Sequence, residues 1–201
     1  MSKKKVAVLV SGNGSNLQAL IDYTNTNNAN FEISIVISNN ESAYALSRAK
    51  NNKIKTIIIS SKDKDRFENT LISVLEEYHI DLIVLAGFMC ILSKNFTSKY
   101  PNKIINIHPS LIPSFCGKGF YGLHVHEAVL EYGVKITGAT THFVNEIPDG
   151  GKIIMQKAVE VLPNDTPETL QKRVMQEAEW IILPKSVDLV AGGENLWVFT
   201  K

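Results

Sequence analysis

The stretch "VAVLVSGNGSNLQAL", Val6–Leu20, runs from five small apolar residues through a glycine turn into an apolar helical repeat. That order reads as a buried strand, a tight turn and a helix, the opening unit of an α/β fold. A glycine turn there sets backbone N–H groups and the positive end of the helix dipole at the carboxyl edge of a sheet, which favours an anion. No lysine follows the second glycine, so the turn does not match the loop that cradles nucleoside triphosphates. Gly12 and Gly14 fit a dinucleotide fingerprint, but its third glycine position holds Leu17, and "ISNN" closes the second strand with no acidic residue. Two readings stay open: one small phosphate monoester held at Gly14, Ser15 and Asn16, with Ser15 and Asn16 capping the helix, or a plain turn that packs the helix.

Outward from this unit, apolar and β-branched runs recur at Val6–Val10, Ile33–Ser38, Lys55–Ile59, Leu82–Ala86 and Lys103–Ile107, separated by segments of helical period. Alternating strand and helix predicts a mostly parallel sheet covered on both faces. "HPSLIPSFCGKGFYG", residues 108–122, is too rich in proline and glycine for either element and reads as a long functional loop. A helix at Leu123–Tyr132, a strand at Ile136–Val144, a turn "NEIPDGGK", a strand at Ile153–Val161 and a long helix follow. Thr166 caps that last helix, Pro167 takes its first position, and Pro184 is expected to kink or end it. The tail "GGENLWVFT" is either one more strand or an unpaired end. The expected organisation is one domain, 1–201, with a phosphate-binding half, 1–100, and a second half, 101–201, for the remaining substrate and the chemistry.

The 201 residues carry 21 Lys and Arg against 20 Asp and Glu, with 44% hydrophobic residues. A net charge of +1 gives no field to gather nucleic acid or an anionic membrane, and no apolar run is long enough to span one. Two cysteines, Cys90 and Cys116, are too few for a disulfide framework, so a cytoplasmic location is expected. The five histidines lack the helical spacing of a zinc site, and no metal is expected.

"IINIHPSLIPSF" puts Asn106 and His108 two apart at the end of the fifth strand, on one face, where ligands of open α/β sheets bind. An amide donates to an oxyanion and an imidazole moves a proton near neutral pH, a pairing suited to acyl transfer. A strand-end Asn-x-His is also a common structural pair. Asp149, in the turn after the strand that carries His142, is the best carboxylate to orient the imidazole, although Asp-Gly is also ordinary turn chemistry.

Taken together and in order, "SGNGSNLQAL", "VLAGFMCILS", "NIHPSLIPSF", "GATTHFV" and "PDGGKII" resemble the folate-dependent phosphoribosylglycinamide formyltransferase family across nearly the whole chain. The resemblance implies a Rossmann-like formyltransferase fold with a mixed carboxyl-terminal part. It implies transfer of a formyl group from 10-formyltetrahydrofolate, as co-substrate, to the amine of glycinamide ribonucleotide in purine (IMP) synthesis. The implied catalytic residues are Asn106, His108 and Asp149. Asn106 and protonated His108 would stabilise the oxyanion, and Asp149 would orient His108 and help pass a proton. The ribonucleotide would lie on Gly14, Ser15, Asn16, Gln176 and Glu179, the last two sharing a helix face by their spacing. Arg66, Met89, Cys90, Ile91 and Leu92 would hold the folate. The partners implied are these two small molecules, with no nucleic acid and no membrane, and the chain is expected as a monomer or homodimer.

Two departures stand out. Cys90 occupies a position where several family members have arginine, and the loop through Cys116 and Lys118 is longer than in some. The nearest rival is a formyltetrahydrofolate hydrolase, which shares the Asn, His and Asp set but uses water as acceptor and has no need of a phosphate turn. A non-catalytic nucleotide- or folate-binding module is the rival from another class.

Overall fold

A computed structural model describes residues 2–193 of the chain, so the tail expectation for "GGENLWVFT" lies largely outside the described residues. Two compact units emerge: Met1–Leu92 with Pro184–Lys201, and Ser93–Leu183.

In the first unit, β1 (Lys4–Val10), α1 (Ser15–Thr26), β2 (Phe31–Ser38), α2 (Tyr44–Asn51), β3 (Lys55–Ile58), α3 (Lys64–Glu77) and β4 (Leu82–Leu85) alternate as the sequence predicts. The strands are parallel in the order β3-β2-β1-β4. Val6 to Val10 on β1 are fully buried, which fits a central strand covered on both faces. Right-handed crossovers then put α1 and α2 on one face and α3 on the other. The strand order reverses between β1 and β4, so the turns leaving these two strands meet at the switch point where such sheets bind ligands.

In the second unit, α4 (Lys94–Thr97) and β5 (Ile104–His108) lead to the long loop, α5 (Leu123–Tyr132), β6 (Ile136–Phe143), β7 (Ile153–Glu160) and α6 (Pro167–Val174). Here β5, β6 and β7 pair antiparallel. The mostly parallel α/β architecture with a mixed carboxyl-terminal part is therefore as expected.

Three local expectations are corrected. Gly14, not Ser15 or Asn16, is the residue before α1; it takes φ 75° and makes no side-chain cap. A Cβ there would lie 2.5 Å from the Ala45 Cβ, so glycine is required by both conformation and space. Pro184 does not end the last helix: α7 (Trp180–Ala191) runs through it, with Leu183 and Val187 fully buried, so packing outweighs the lost hydrogen bond. The helical repeat instead changes one turn earlier, where Met175–Glu179 forms a π turn between α6 and α7. That wider i→i+5 repeat rotates residues three apart away from each other, so Gln176 is exposed while Glu179 is buried. They do not share a face.

Candidate active site

In the second unit, the antiparallel register sets Asn106 of β5 opposite His142 of β6, and His108 opposite Thr140. The turn after β6 then returns Asp149 to this strand end. Its Oδ2 lies 3.6 Å from His108 Nδ1, and its Oδ1 lies 3.5 Å from His142 Nε2. Asp149 adopts φ 54°, a left-handed conformation that aspartate tolerates better than most side chains. Close by, a Cβ on Gly151 would sit 1.6 Å from the Phe143 carbonyl oxygen, which explains the glycine after "PDG".

The long loop reaches the same groups with its backbone. The Gly117 N–H donates to Asp149 Oδ2 at 2.8 Å, and His108 Nε2 donates to the Phe115 carbonyl at 2.9 Å. Thr140 anchors the root of the loop, donating to the Ser110 carbonyl at 2.7 Å and accepting from the Ile112 N–H at 3.1 Å. The loop between residues 108 and 122 is thus ordered by contacts to the candidate catalytic set, as its composition suggested for a functional segment.

Electrostatics follow from this packing. Burial pushes the His108 imidazole below its ordinary pKa, against the opposing pull of the Asp149 carboxylate. That direction favours the neutral form of the ring. Burial works to raise Asp149, but the neighbouring imidazoles of His142 and His108 and the Gly117 N–H outweigh it and hold the carboxyl below its usual range. His126 on α5 is fully buried, and neither ring nitrogen has a hydrogen-bond partner. Burial, followed by the charge of His108, lowers it to about 4.

Sequence reasoning found Asn106, His108 and Asp149 and missed His142 as a member of the cluster. His142 is 1% exposed and lies 3.1 Å from Asn106 Nδ2. Its position two residues before the end of a predicted strand was visible; the register that sets it against Asn106 was not.

In the first unit, Gly14, Ser15 and Asn16 lie at the start of α1. Arg48 of α2, passed over in the sequence, braces the turn: its Nε donates to the Asn13 carbonyl at 2.9 Å and its Nη2 to Asn13 Oδ1 at 3.1 Å. At the switch point, the Met89 N–H donates to Ser11 Oγ at 2.9 Å, and the Ser11 N–H to the Gly87 carbonyl. Met89 and Ile91 are exposed, Leu92 is buried, and Cys90 is partly covered. Burial raises the Cys90 thiol, and the opposing cation is Lys64 rather than Arg66. Arg66 is exposed and lines a cavity of about 410 Å³ with Ile58, Ser60, Lys62, Asp63 and Thr70. The structure thus brings Asn106, His108 and Asp149 together in one unit. It brings the glycine turn and the Met89 segment together in the other, where Arg66 lines the cavity along α3.

Among the described residues, no group of three or more His, Cys, Asp or Glu side chains is arranged to hold a metal ion. No helix among them is long and apolar enough to cross a membrane.

Residues 4–187 match the family model described as formyl transferase. The chain belongs to the formyl transferase family. Within that family it is 40% identical over 184 residues to a phosphoribosylglycinamide formyltransferase of Haemophilus influenzae, covering 90% of this chain and 84% of that protein. It is 48% identical over 194 residues to the human trifunctional purine biosynthetic protein adenosine-3; the match takes in 95% of this chain but spans only 19% of that relative's length. The crystal structure of phosphoribosylglycinamide formyltransferase from Anaplasma phagocytophilum superposes with a TM-score of 0.85 at 44% identity, covering 94% of this chain and 87% of that one. The formyl transferase fold read from the sequence is therefore the fold observed.

Proposed function

We propose that this chain transfers the formyl group of 10-formyltetrahydrofolate to the amine of glycinamide ribonucleotide, giving formylglycinamide ribonucleotide and tetrahydrofolate in purine synthesis. The observation that carries this reading is the convergence of Asn106, His108 and Asp149 at one strand end, in a chain whose formyl transferase relatives bear that name.

The amine attacks the formyl carbon directly, since no serine or cysteine nucleophile with an adjacent base is needed. Negative charge gathers on the formyl oxygen, where Asn106 Nδ2 donates a hydrogen bond. His108, favoured by burial in its neutral form, takes up a proton as that charge develops, and Asp149 beside Nδ1 balances the imidazolium. The C–N bond to the folate then breaks. One proton passes from the attacking amine, by way of His108 and Asp149, to the folate nitrogen that leaves, so atoms and charge balance. His108 Nε2 is engaged by the Phe115 carbonyl, so the loop yields that contact when the ring turns to substrate.

The ribonucleotide phosphate is read as lying on Gly14, Ser15 and Asn16, with Gln176 and Glu179 contacting the same substrate. Met89, Cys90, Ile91 and Leu92 are read as the pterin segment, with Arg66 toward the folate tail. A cytoplasmic monomer or homodimer working on these two small molecules belongs to the same reading.

The test is folate deformylation followed by absorbance, with and without glycinamide ribonucleotide, and mass spectrometry of the product. Turnover only with the ribonucleotide, giving a formylated product, supports transfer. Equal turnover without it makes the chain a hydrolase, and binding without turnover makes it a carrier module.

A further inference from the structure

His142 touches both Asn106 and Asp149, and the atoms around its ring constrain which nitrogen carries the proton. Nδ1 lies 2.9 Å from the Phe143 carbonyl, an oxygen that can only accept, so Nδ1 bears hydrogen. Nε2 lies 3.1 Å from Asn106 Nδ2, which can only donate, so Nε2 presents its lone pair. With the carboxamide placed this way, the Phe143 and Asn106 contacts together fit the neutral Nδ1–H form. Asp149 Oδ1 lies 3.5 Å from the same Nε2 and competes to draw a proton onto it, so the longer Asp149 contact and the shorter Asn106 contact call for opposite states of Nε2.

We propose that His142 is a positioning residue that sets the carboxamide of Asn106. A carboxamide without such a partner turns over freely and offers its oxygen as often as its N–H groups. With Nε2 accepting one Nδ2 hydrogen, the amide is held with nitrogen on the His142 side. Asn106 is only half-buried, and its second Nδ2 hydrogen remains for a developing oxyanion. The wrong orientation would aim Oδ1 at the oxyanion and repel it. It would also need a proton on Nε2, which this tautomer lacks. The arrangement is the same logic by which partners outside a metal's ligand shell orient its ligands.

This role rests on the formyl-transfer reading, but its first test does not. Long-range ¹H–¹⁵N spectra of uniformly labelled protein at pH 8, with His142 assigned by its loss in His142→Gln, report the protonation of each ring nitrogen. Hydrogen on Nδ1 alone is expected. Hydrogen on Nε2, whether alone or with Nδ1, overturns the proposal. The second test is kinetic. His142→Phe keeps a ring but removes the acceptor, and kcat is expected to fall at least about tenfold with KM for both substrates within about threefold. His142→Gln returns an acceptor near the Nε2 position and is expected to recover most of the turnover. Native turnover in His142→Phe, or a His142→Gln variant of native thermal stability that is as slow as His142→Phe, overturns it. If His142→Phe does not fold, the spectra and His142→Gln decide. If the native protein makes no formylated ribonucleotide, the functional reading fails and the spectra still decide the tautomer.

Discussion

Asp149 holds a backbone conformation that favours glycine or asparagine, at φ 54°, and keeps a carboxylate there between two imidazoles. Asparagine accepts the same conformation and removes only the charge. Asp149→Asn is therefore expected to melt within a few degrees of the native protein while turnover drops by about a hundredfold or more. Paired melting and steady-state measurements check both halves, and near-native turnover would remove Asp149 from the proton path. Gly14 carries the opposite lesson. Its φ of 75° and the 2.5 Å approach of Ala45 leave no room for a side chain, so Gly14→Ala should cost about 1–3 kcal/mol in denaturant unfolding. At this scale the sequence was informative where a residue's chemistry is unusual for its place, as with Asn106 and His108 at a strand end. It was silent on Arg48 and His142, whose roles arise from neighbours 35 and 36 positions away in the chain.

At the scale of elements, α6 is held by chemistry the sequence announced. Thr166 accepts from the Thr169 N–H, Thr169 Oγ1 accepts from the Thr166 N–H, and Pro167 opens the helix. One turn further on, Arg173 hydrogen-bonds Asp165 with two nitrogens and also reaches the Glu160 carbonyl at the end of β7. The Arg173 guanidinium is the main cause that brings Asp165 down to about 2. Because the folded pKa lies below the ordinary carboxylate value, this stabilisation is complete above about pH 4 and is lost as pH falls toward 2. Arg173→Met should thus cost about 1.5–3 kcal/mol near pH 7, and the gap from the native protein should narrow across that acid window. A gap that persists unchanged at pH 2 would assign the loss to packing instead. The π turn that follows was invisible in the sequence. A change from i→i+4 to i→i+5 bonding alters no residue type, and the helical spacing of Gln176 and Glu179 looked ordinary.

For the molecule as a whole, the alternation of strand and helix and the break at the long loop were sufficient to predict the α/β class. The register and the closure of the loop onto His108 and Asp149 required three dimensions. A global consequence comes from His126, whose ring is buried neutral with its pKa lowered to about 4 by burial and by the charge of His108. Below about pH 6.5 the unfolded chain binds a proton there that the folded chain refuses, so stability falls as pH drops from about 6.5 toward 4 and is whole above that range. His126→Leu should flatten the melting temperature across this interval, and an unaltered slope would place the sensitivity elsewhere. The Phe143 carbonyl has a reach of its own. It receives the Nδ1 hydrogen of His142, and it is the atom that any side chain on Gly151 would strike, at 1.6 Å. Every missense change in the Gly151 codon introduces a Cβ, so no single-base path away from glycine leaves that oxygen undisturbed. In a mutational scan scored on growth without purines, Gly151, which carries no functional group of its own, should tolerate as little variation as the histidines.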